Sequence, residues 1–310
     1  MSAARWLSSL FRPAVPGHEF VKVPVAIPEN WIATRAESID DASQLAFRVE
    51  TTNHCNFQCT FCPNPRQKRA LGHMDEALFR KIIPEASAAG FRTLDLRNFG
   101  EPLLDKRLVE RVAFARQSGF TFILIITNGL GLTAKRLDSL AEAGMAQIVL
   151  SLSPKREFAA TRPGTNVEKL WRDLASLKDS PHKGIIGVDY IRTGASTAEE
   201  EAELRAFLES IGIPLRMEVP LHNWAQGTVQ SLTRHLCHRL WTSFTVLWDG
   251  RVSLCCLDYE GEVILGDLNH QSVPEVLNGR KYREIRRRHL EGQFLRKCAG
   301  CDMVQTKDLK

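Results

Sequence analysis

Two rhythms of apolar and polar residues run through the middle of the chain. Short runs rich in apolar or β-branched residues recur at 45–50, 93–98, 121–126, 147–152, 185–191 and 215–219. Between them, segments near 75–89, 106–118, 134–143, 166–178 and 198–211 carry the spacing of helices that bury one face. Thr197 stands just ahead of Ala198, Glu199 and Glu200, as a capping residue before an acidic first turn would. Six strands alternating with five helices predict βαβ units and a parallel sheet. Periodicity alone does not separate a doubly wound sheet from a barrel.

The rhythm fails at both ends. Residues 1–44 contain Pro13, Pro16, Pro24 and Pro28 and read as an irregular arm. Near residue 230 the pattern changes. Asp249-Gly250 between two short apolar runs predicts a β-hairpin, Glu260-Gly261 marks a second, and a helical stretch follows near 272–290. The expected organisation is an arm at 1–44, an α/β domain at 45–228 and a small hairpin-and-helix domain at 229–310.

Composition narrows the classes. The 310 residues, 44% hydrophobic and 25% charged, suit one large globular domain plus a small one. No run of 18 apolar residues exists, so no membrane span is expected. The first dozen residues lack a signal-peptide core and read as a frayed leader. A net charge of +5 is too mild to point at nucleic acid. Eight cysteines without an export signal predict a cytoplasmic protein, where cysteines more often bind metal than pair.

The cysteines fall in two groups. Cys55, Cys59 and Cys62 come first, and no other cysteine follows until Cys237. Three thiolates can hold three irons of a [4Fe–4S] cube and leave the fourth open, whereas clusters that only carry electrons usually have four cysteines. A zinc site is the bland alternative, but such sites usually build from Cys-x2-Cys pairs and close at four ligands.

Cys55-x3-Cys59-x2-Cys62, with Phe61 before the last cysteine, resembles the signature of the radical S-adenosylmethionine (SAM) superfamily. That resemblance implies a (β/α)6 partial TIM-type barrel with its chemistry at the C-terminal strand ends. It also implies SAM chelated on the open iron and cleaved to a 5′-deoxyadenosyl radical that takes a substrate hydrogen. Asn98-Phe99-Gly100-Glu101-Pro102 resembles the family's Gly-Gly-Glu motif, with Phe99 in place of the first glycine. It implies that Glu101 and the Gly100 backbone meet the SAM amino group. Thr127 and Asn128 resemble the ribose-side contact, and Ser151 resembles a serine that bonds the ribose or carboxylate. Ser153 stands where relatives carry an acid, so that role is not carried over. Arg162-Pro163-Gly164 is family-like too, but a turn explains it. Arg192 would suit the SAM carboxylate, with a surface arginine as the alternative, and His222 is a candidate acid or base, or a structural histidine, in a polar–aromatic loop, residues 221–227.

The second group resembles a SPASM/twitch extension, starting with Cys237-x12-Gly250-x4-Cys255. It implies one auxiliary [4Fe–4S] cluster on Cys237, Cys255, Cys298 and Cys301; a four-cysteine zinc ribbon competes. Cys256 follows a ligand position directly, and neighbours on a strand point to opposite faces, so it is expected near the cluster without joining it. A thiol there can return a hydrogen atom to a substrate radical, although most free cysteines are simply small buried hydrophobes. The basic stretch 279–297 is a solvated helix face or a dock for a flavodoxin- or ferredoxin-type electron donor.

These expectations converge on a radical SAM oxidoreductase or epimerase acting on a small hydroxyl-rich substrate, such as a sugar or aminocyclitol intermediate of natural-product biosynthesis. A peptide maturase with the same chemistry is one alternative; the 44-residue arm is short for a leader-peptide-binding domain. A non-catalytic iron–sulfur or zinc protein is the other, and it has no use for a SAM site.

Overall fold

The structure, a computed structural model, describes residues 20–22, 25–26, 37–224 and 234–304. The barrel region alternates β3 (Ala46–Val49), α1 (Glu76–Ala88), β4 (Thr93–Asp95), α2 (Leu108–Gln117), β5 (Phe122–Thr127) and α3 (Ala134–Glu142). It continues through β6 (Gln147–Leu152), α4 (Lys155–Thr161), α5 (Val167–Ala175), β7 (Ile186–Arg192), α6 (Ala198–Ile211) and β8 (Leu215–Pro220). All six expected strands are present. The helix at α6 starts as its residues dictate: Thr197 Oγ1 accepts the Glu200 amide while Glu200 caps back onto the Thr197 amide. The short helix α4 was not expected, because seven residues after Pro154 carry too few turns to show a period.

Strands β3 to β8 lie side by side in chain order, all parallel. Among the described residues the nine-strand sheet ends at β8 without closing, as a partial barrel requires. Its far end is built from residues of the expected C-terminal domain. Beyond α7 (Arg239–Thr242), β10 (Ser243–Val246) pairs parallel with β3, and β11 (Arg251–Ser253) and β12 (Ile264–Asp267) follow antiparallel. The two hairpins read from Asp249-Gly250 and Glu260-Gly261 therefore extend the barrel sheet instead of standing apart from it. The chain ends in α8 (Val273–Leu277), α9 (Arg280–Leu290), β13 (Gln293–Leu295) and α10 (Arg296–Ala299).

Two short strands also lie inside the arm read as irregular. β1 (Phe20–Lys22) pairs antiparallel with β13, and β2 (Val25–Ala26) pairs parallel with β9 (Arg234–His235). Pro24 falls between them, so neither run is long enough to read as a strand from sequence. Residues 1–19, 23–24 and 27–36 of the arm, with the leader, and residues 225–227 of the polar–aromatic loop lie outside the described residues.

An aromatic column joins the C-terminal elements to the barrel. Phe47 of β3 stacks on Phe244 of β10 at 5.6 Å between ring centroids, and Phe244 stacks on Tyr282 of α9 at 5.9 Å. Phe91 closes the group at 5.1 Å from Phe47, and all four side chains are buried. Each such pair adds about 1 kcal/mol beyond the area it buries. Strand alternation then decides the other face: Arg48, between Phe47 and Val49, points away from this column and pairs with Asp95 of β4.

Candidate active site

The first cysteine loop leaves β3 at its C-terminal end. Buried Asn53 pins it, its Nδ2 donating to Ala70 O and its Oδ1 accepting the Gly72 amide. The Thr60 amide donates to Thr161 O at 2.9 Å, and the Phe57 ring meets Phe158 edge-on. Cys55, Cys59 and Cys62 are thus half-buried on one short loop. Burial pushes the Cys55 thiol up to about 12 and Cys62 up to about 11, and neighbouring cysteines add to both. Binding metal there would release protons.

The Gly100-Glu101 turn locks onto this loop. A Cβ on Gly100 would lie 2.1 Å from Thr52 O, and the Glu101 amide donates to His54 O at 2.8 Å. The close backbone approach that glycine permits is therefore to the cysteine loop itself. The Glu101 carboxylate is buried. It accepts Leu103 N and Thr127 Oγ1 on Oε1, and Asn128 N on Oε2. Burial holds its pKa above the usual value despite these donors. Three of its roughly four acceptor sites are taken, so at most one remains for a ligand. Asn128 Nδ2 donates to Asn56 Oδ1, tying the loop after β5 to the cysteine loop as well. Ser151, on β6, lies partly buried beside Asp189 of β7. A cleft of about 690 Å³, lined by Phe57, Gln58, Leu130, Gly164 and Lys169, opens on this side of the loop.

Arg192 sits as the surface-arginine reading has it: its guanidinium is half exposed and bonded to Glu218 at 2.6 Å and Glu201 at 2.8 Å. The arginine at the cysteine loop is Arg162. It is 2% exposed, 5.1 Å over the Phe61 ring and 4.1 Å over Phe158, and donates through Nη1 to Ser153 and Thr161 Oγ atoms. Its Nη2 is buried without a partner among the described residues. The signal was present in the Arg-Pro-Gly run, where a turn seemed explanation enough. The other strand-seven side chains are also engaged, Asp189 with Arg216 and Tyr190 with Glu157.

The second cysteine group gathers as expected. Cys237, Cys255, Cys298 and Cys301 line one small cavity with Leu254, Leu257 and Met303. The Leu257 amide donates to Cys255 Sγ at 3.4 Å. Burial, with the other cysteines nearby, holds all four thiols above their usual value. Among the described residues, no three His, Cys, Asp or Glu side chains close on a single-ion position. Cubane ligands have no such shared point, because each thiolate takes a different iron. The donor sets, three and four thiols without carboxylates, fit iron–sulfur clusters.

Cys256 turns the other way. It lines a cavity of about 200 Å³ shared with Cys62, Arg48, Arg97, Phe99, His222, Trp224, Arg239 and Leu257. Burial raises its pKa, but Arg48, Arg239 and Arg97 outweigh that and hold the thiol below its usual value. Arg48 lines the same cavity, and its positive charge acts on the thiol. Trp224 anchors the mouth by donating from Nε1 to Phe61 O at 2.8 Å, and it does so at φ 53°, a strained conformation for a bulky residue. His222 Nδ1 lies 3.4 Å from Asp302, a partner just past Cys301 that sequence reading missed.

Comparison with known proteins agrees with this geometry. The radical SAM superfamily matches residues 49–191, and the iron–sulfur cluster-binding domain SPASM matches residues 237–302. An S-adenosyl-L-methionine-dependent 2-deoxy-scyllo-inosamine dehydrogenase from Niallia circulans is 26% identical over 276 residues, 84% of this chain and 93% of that protein. A PqqA peptide cyclase from Ruegeria pomeroyi is 32% identical over 142 residues, 46% of this chain but only 37% of its own length. The crystal structure of BtrN with AdoMet and 2-DOIA aligns over 86% of this chain and 96% of its own, with TM-score 0.56 and 20% identity. Streptococcus suis SuiB bound to precursor peptide SuiA aligns over 84% and 70%, with TM-score 0.61 and 14% identity; at such identities these two show the shared fold. With the cysteine loop, the strand-end contacts and the four-cysteine cavity all in place, residues 49–191 form a radical SAM superfamily domain and residues 237–302 a SPASM-type iron–sulfur cluster-binding region.

Proposed function

We propose that the chain is a radical SAM oxidoreductase that dehydrogenates a small hydroxyl-rich molecule, of sugar or cyclitol type, inside the 200 Å³ cavity. The observation that carries this reading is the position of that cavity. Cys62 of the first group forms one wall, while Leu257 and Arg239 are shared with the four-cysteine cavity behind the other. A substrate held there would sit between the two cysteine groups. The dehydrogenase relative, matched over nearly its whole length, supports the same reaction class. The peptide cyclase match covers little more than a third of that protein and supports a maturase less well.

In this reading Cys55, Cys59 and Cys62 hold the SAM-binding [4Fe–4S] cluster, and Cys237, Cys255, Cys298 and Cys301 hold the auxiliary one. When bound, these groups and SAM supply the one-electron chemistry: a radical that takes a substrate hydrogen, and an acceptor for the electron left behind. Glu101, Gly100, Thr127, Asn128 and Ser151 shape the SAM cradle, chiefly by fixing three strand-end loops to one another. Arg162, not Arg192, supplies the buried positive charge beside the cysteine loop, stacked on Phe61. Phe99 and Trp224, 5.8 Å apart, wall the substrate chamber and keep water out. The His222–Asp302 pair can hold or move the substrate hydroxyl proton. A flavodoxin- or ferredoxin-type donor fits the basic face of α9, although Glu284 and Glu291 neutralise part of it. A reducing cytosol suits eight unpaired cysteines.

Epimerisation is the second reading, because Cys256 shares the cavity with Cys62 and a thiol there can return hydrogen. The test is made on anaerobically reconstituted protein with SAM and a reductant. About eight irons per chain, formation of 5′-deoxyadenosine, and a product two hydrogens lighter are expected. A product of unchanged connectivity that takes up one solvent deuterium would move the assignment to epimerase. About four irons with bound zinc, or no 5′-deoxyadenosine, would end the reading.

A further inference from the structure

The cavity is strongly cationic for a site that handles neutral polyols. Three arginines reach it: Arg48 from β3, Arg97 just past β4, and Arg239 at the start of α7. The carboxylate bonded to two of them is Asp95, shared by Arg48 Nη2 at 2.9 Å and Arg97 Nε at 2.8 Å. Among the side chains lining the cavity, one carboxylate against three guanidiniums leaves an excess of positive charge, part of which the thiolates of the four-cysteine site beside Arg239 would offset. Arg48 is 4% exposed, so its charge is little screened by water. Arg239 Nε is buried without a partner among the described residues, while the residue itself lines this cavity and the four-cysteine one. Asn98, on the same wall, donates Nδ2 to Glu50 at 3.0 Å, and its Oδ1 is buried without a partner. The lining thus brings together three guanidiniums, one carboxylate paired to two of them, and the Asn98 amide.

We infer that the substrate carries an oxyanion, a phosphate or carboxylate group, on its hydroxylated frame, bound by Arg239 and Arg97 above the Arg48–Asp95 pair. This rests on the reading of the cavity as the substrate chamber, and it narrows that reading to acidic members of the hydroxyl-rich class. Planar guanidiniums match both oxyanions, and such charge-assisted pairs are the strong ones. An aminated cyclitol, a cation at neutral pH, would meet like charge here. The substrate therefore differs from that named for the Niallia circulans relative.

The test is isothermal titration of the anaerobically reconstituted, SAM-saturated enzyme with four probes: glucose 6-phosphate, glucuronate, myo-inositol and 2-deoxy-scyllo-inosamine. At least one acidic probe should bind about tenfold or more tightly than both others, the weight of one hydrogen bond to a charged group. Comparison of the two acidic arms identifies phosphate or carboxylate. Arg239→Gln and Arg97→Gln should each remove most of the preference, and Arg239→Lys should restore part of it. Acidic probes that bind no better than myo-inositol, or a preference that survives both glutamine variants, would overturn the inference. So would an acidic probe that displaces SAM, because the arginines would then belong to the cofactor. Formation of 5′-deoxyadenosine by the wild type is followed in parallel: its absence removes the enzymatic reading and leaves the anion preference to be judged on binding alone.

Discussion

Thr127 Oγ1 donates to Glu101 Oε1 at 2.6 Å, and both side chains are buried. This bond joins the loop after β4 to the loop after β5. Glutamine at 101 keeps the shape but replaces one acceptor oxygen with an NH2 that faces a donor, either the Asn128 amide or the Thr127 and Leu103 pair. Glu101→Gln should cost about 1–3 kcal/mol, the price of one unmet buried donor. It should weaken SAM binding by about tenfold, because the Asn128 loop is released from its anchor. Denaturant midpoints and SAM titration check both; a variant equal to wild type in both would show that Glu101 anchors nothing.

Gly100 makes a sharper demand. Its missing Cβ would strike Thr52 O at 2.1 Å and Asn53 Cα at 3.0 Å, both backbone atoms that cannot rotate away. Gly100→Ala must therefore push the cysteine loop out of place. Iron content of the reconstituted protein should fall from about eight to about four per chain, with the four-cysteine site still loaded. Retention of all the iron would mean that the loop yields freely.

Much of this architecture was legible because it is local. The strand–helix alternation, the Thr197 capping box and the Asp249-Gly250 turn each depend on residues a few positions apart. What escaped was long-range. The pairing of β10 with β3 joins residues near 245 to residues near 48, and no local pattern announces it. The two arginines show the same limit. Arg192 stands at a strand end that suits either a cofactor contact or the surface, and Glu201 and Glu218 neutralise it on the outside. Arg162 sits in a turn, and only tertiary packing buries it between Phe61 and Phe158.

His289 gives the chain a pH dependence. It is fully buried, bonded through Nδ1 to Ile285 O at 3.0 Å and packed on Phe294. Burial lowers its pKa to about 4, against 6.5 for the free side chain. The unfolded chain therefore gains a proton as pH falls below 6.5, while the folded chain resists until about 4. Stability is full above that window and declines through it, by up to about 3 kcal/mol. Urea midpoints at pH 7 and pH 5 should differ less in His289→Gln than in wild type. Equal shifts in the two proteins would place the titration elsewhere.

Cys256 separates the two reaction readings, and its surroundings favour one. Arg48, Arg239 and Arg97 surround it and hold the thiol below its usual value, a setting that favours the thiolate over the thiol that hydrogen-atom donation needs. A dehydrogenase needs no such donation, since its substrate radical loses an electron instead of regaining hydrogen. Cys256→Ala should therefore still form 5′-deoxyadenosine and still yield a product two hydrogens lighter, with turnover within about tenfold of wild type for the loss of one neighbouring charge-assisted contact. Cys256→Ser should behave alike. Mass spectrometry of the product in deuterated buffer decides the matter: if the alanine variant consumes SAM but loses a deuterium-labelled, inverted product that the wild type makes, the thiol is the hydrogen donor and the enzyme is an epimerase.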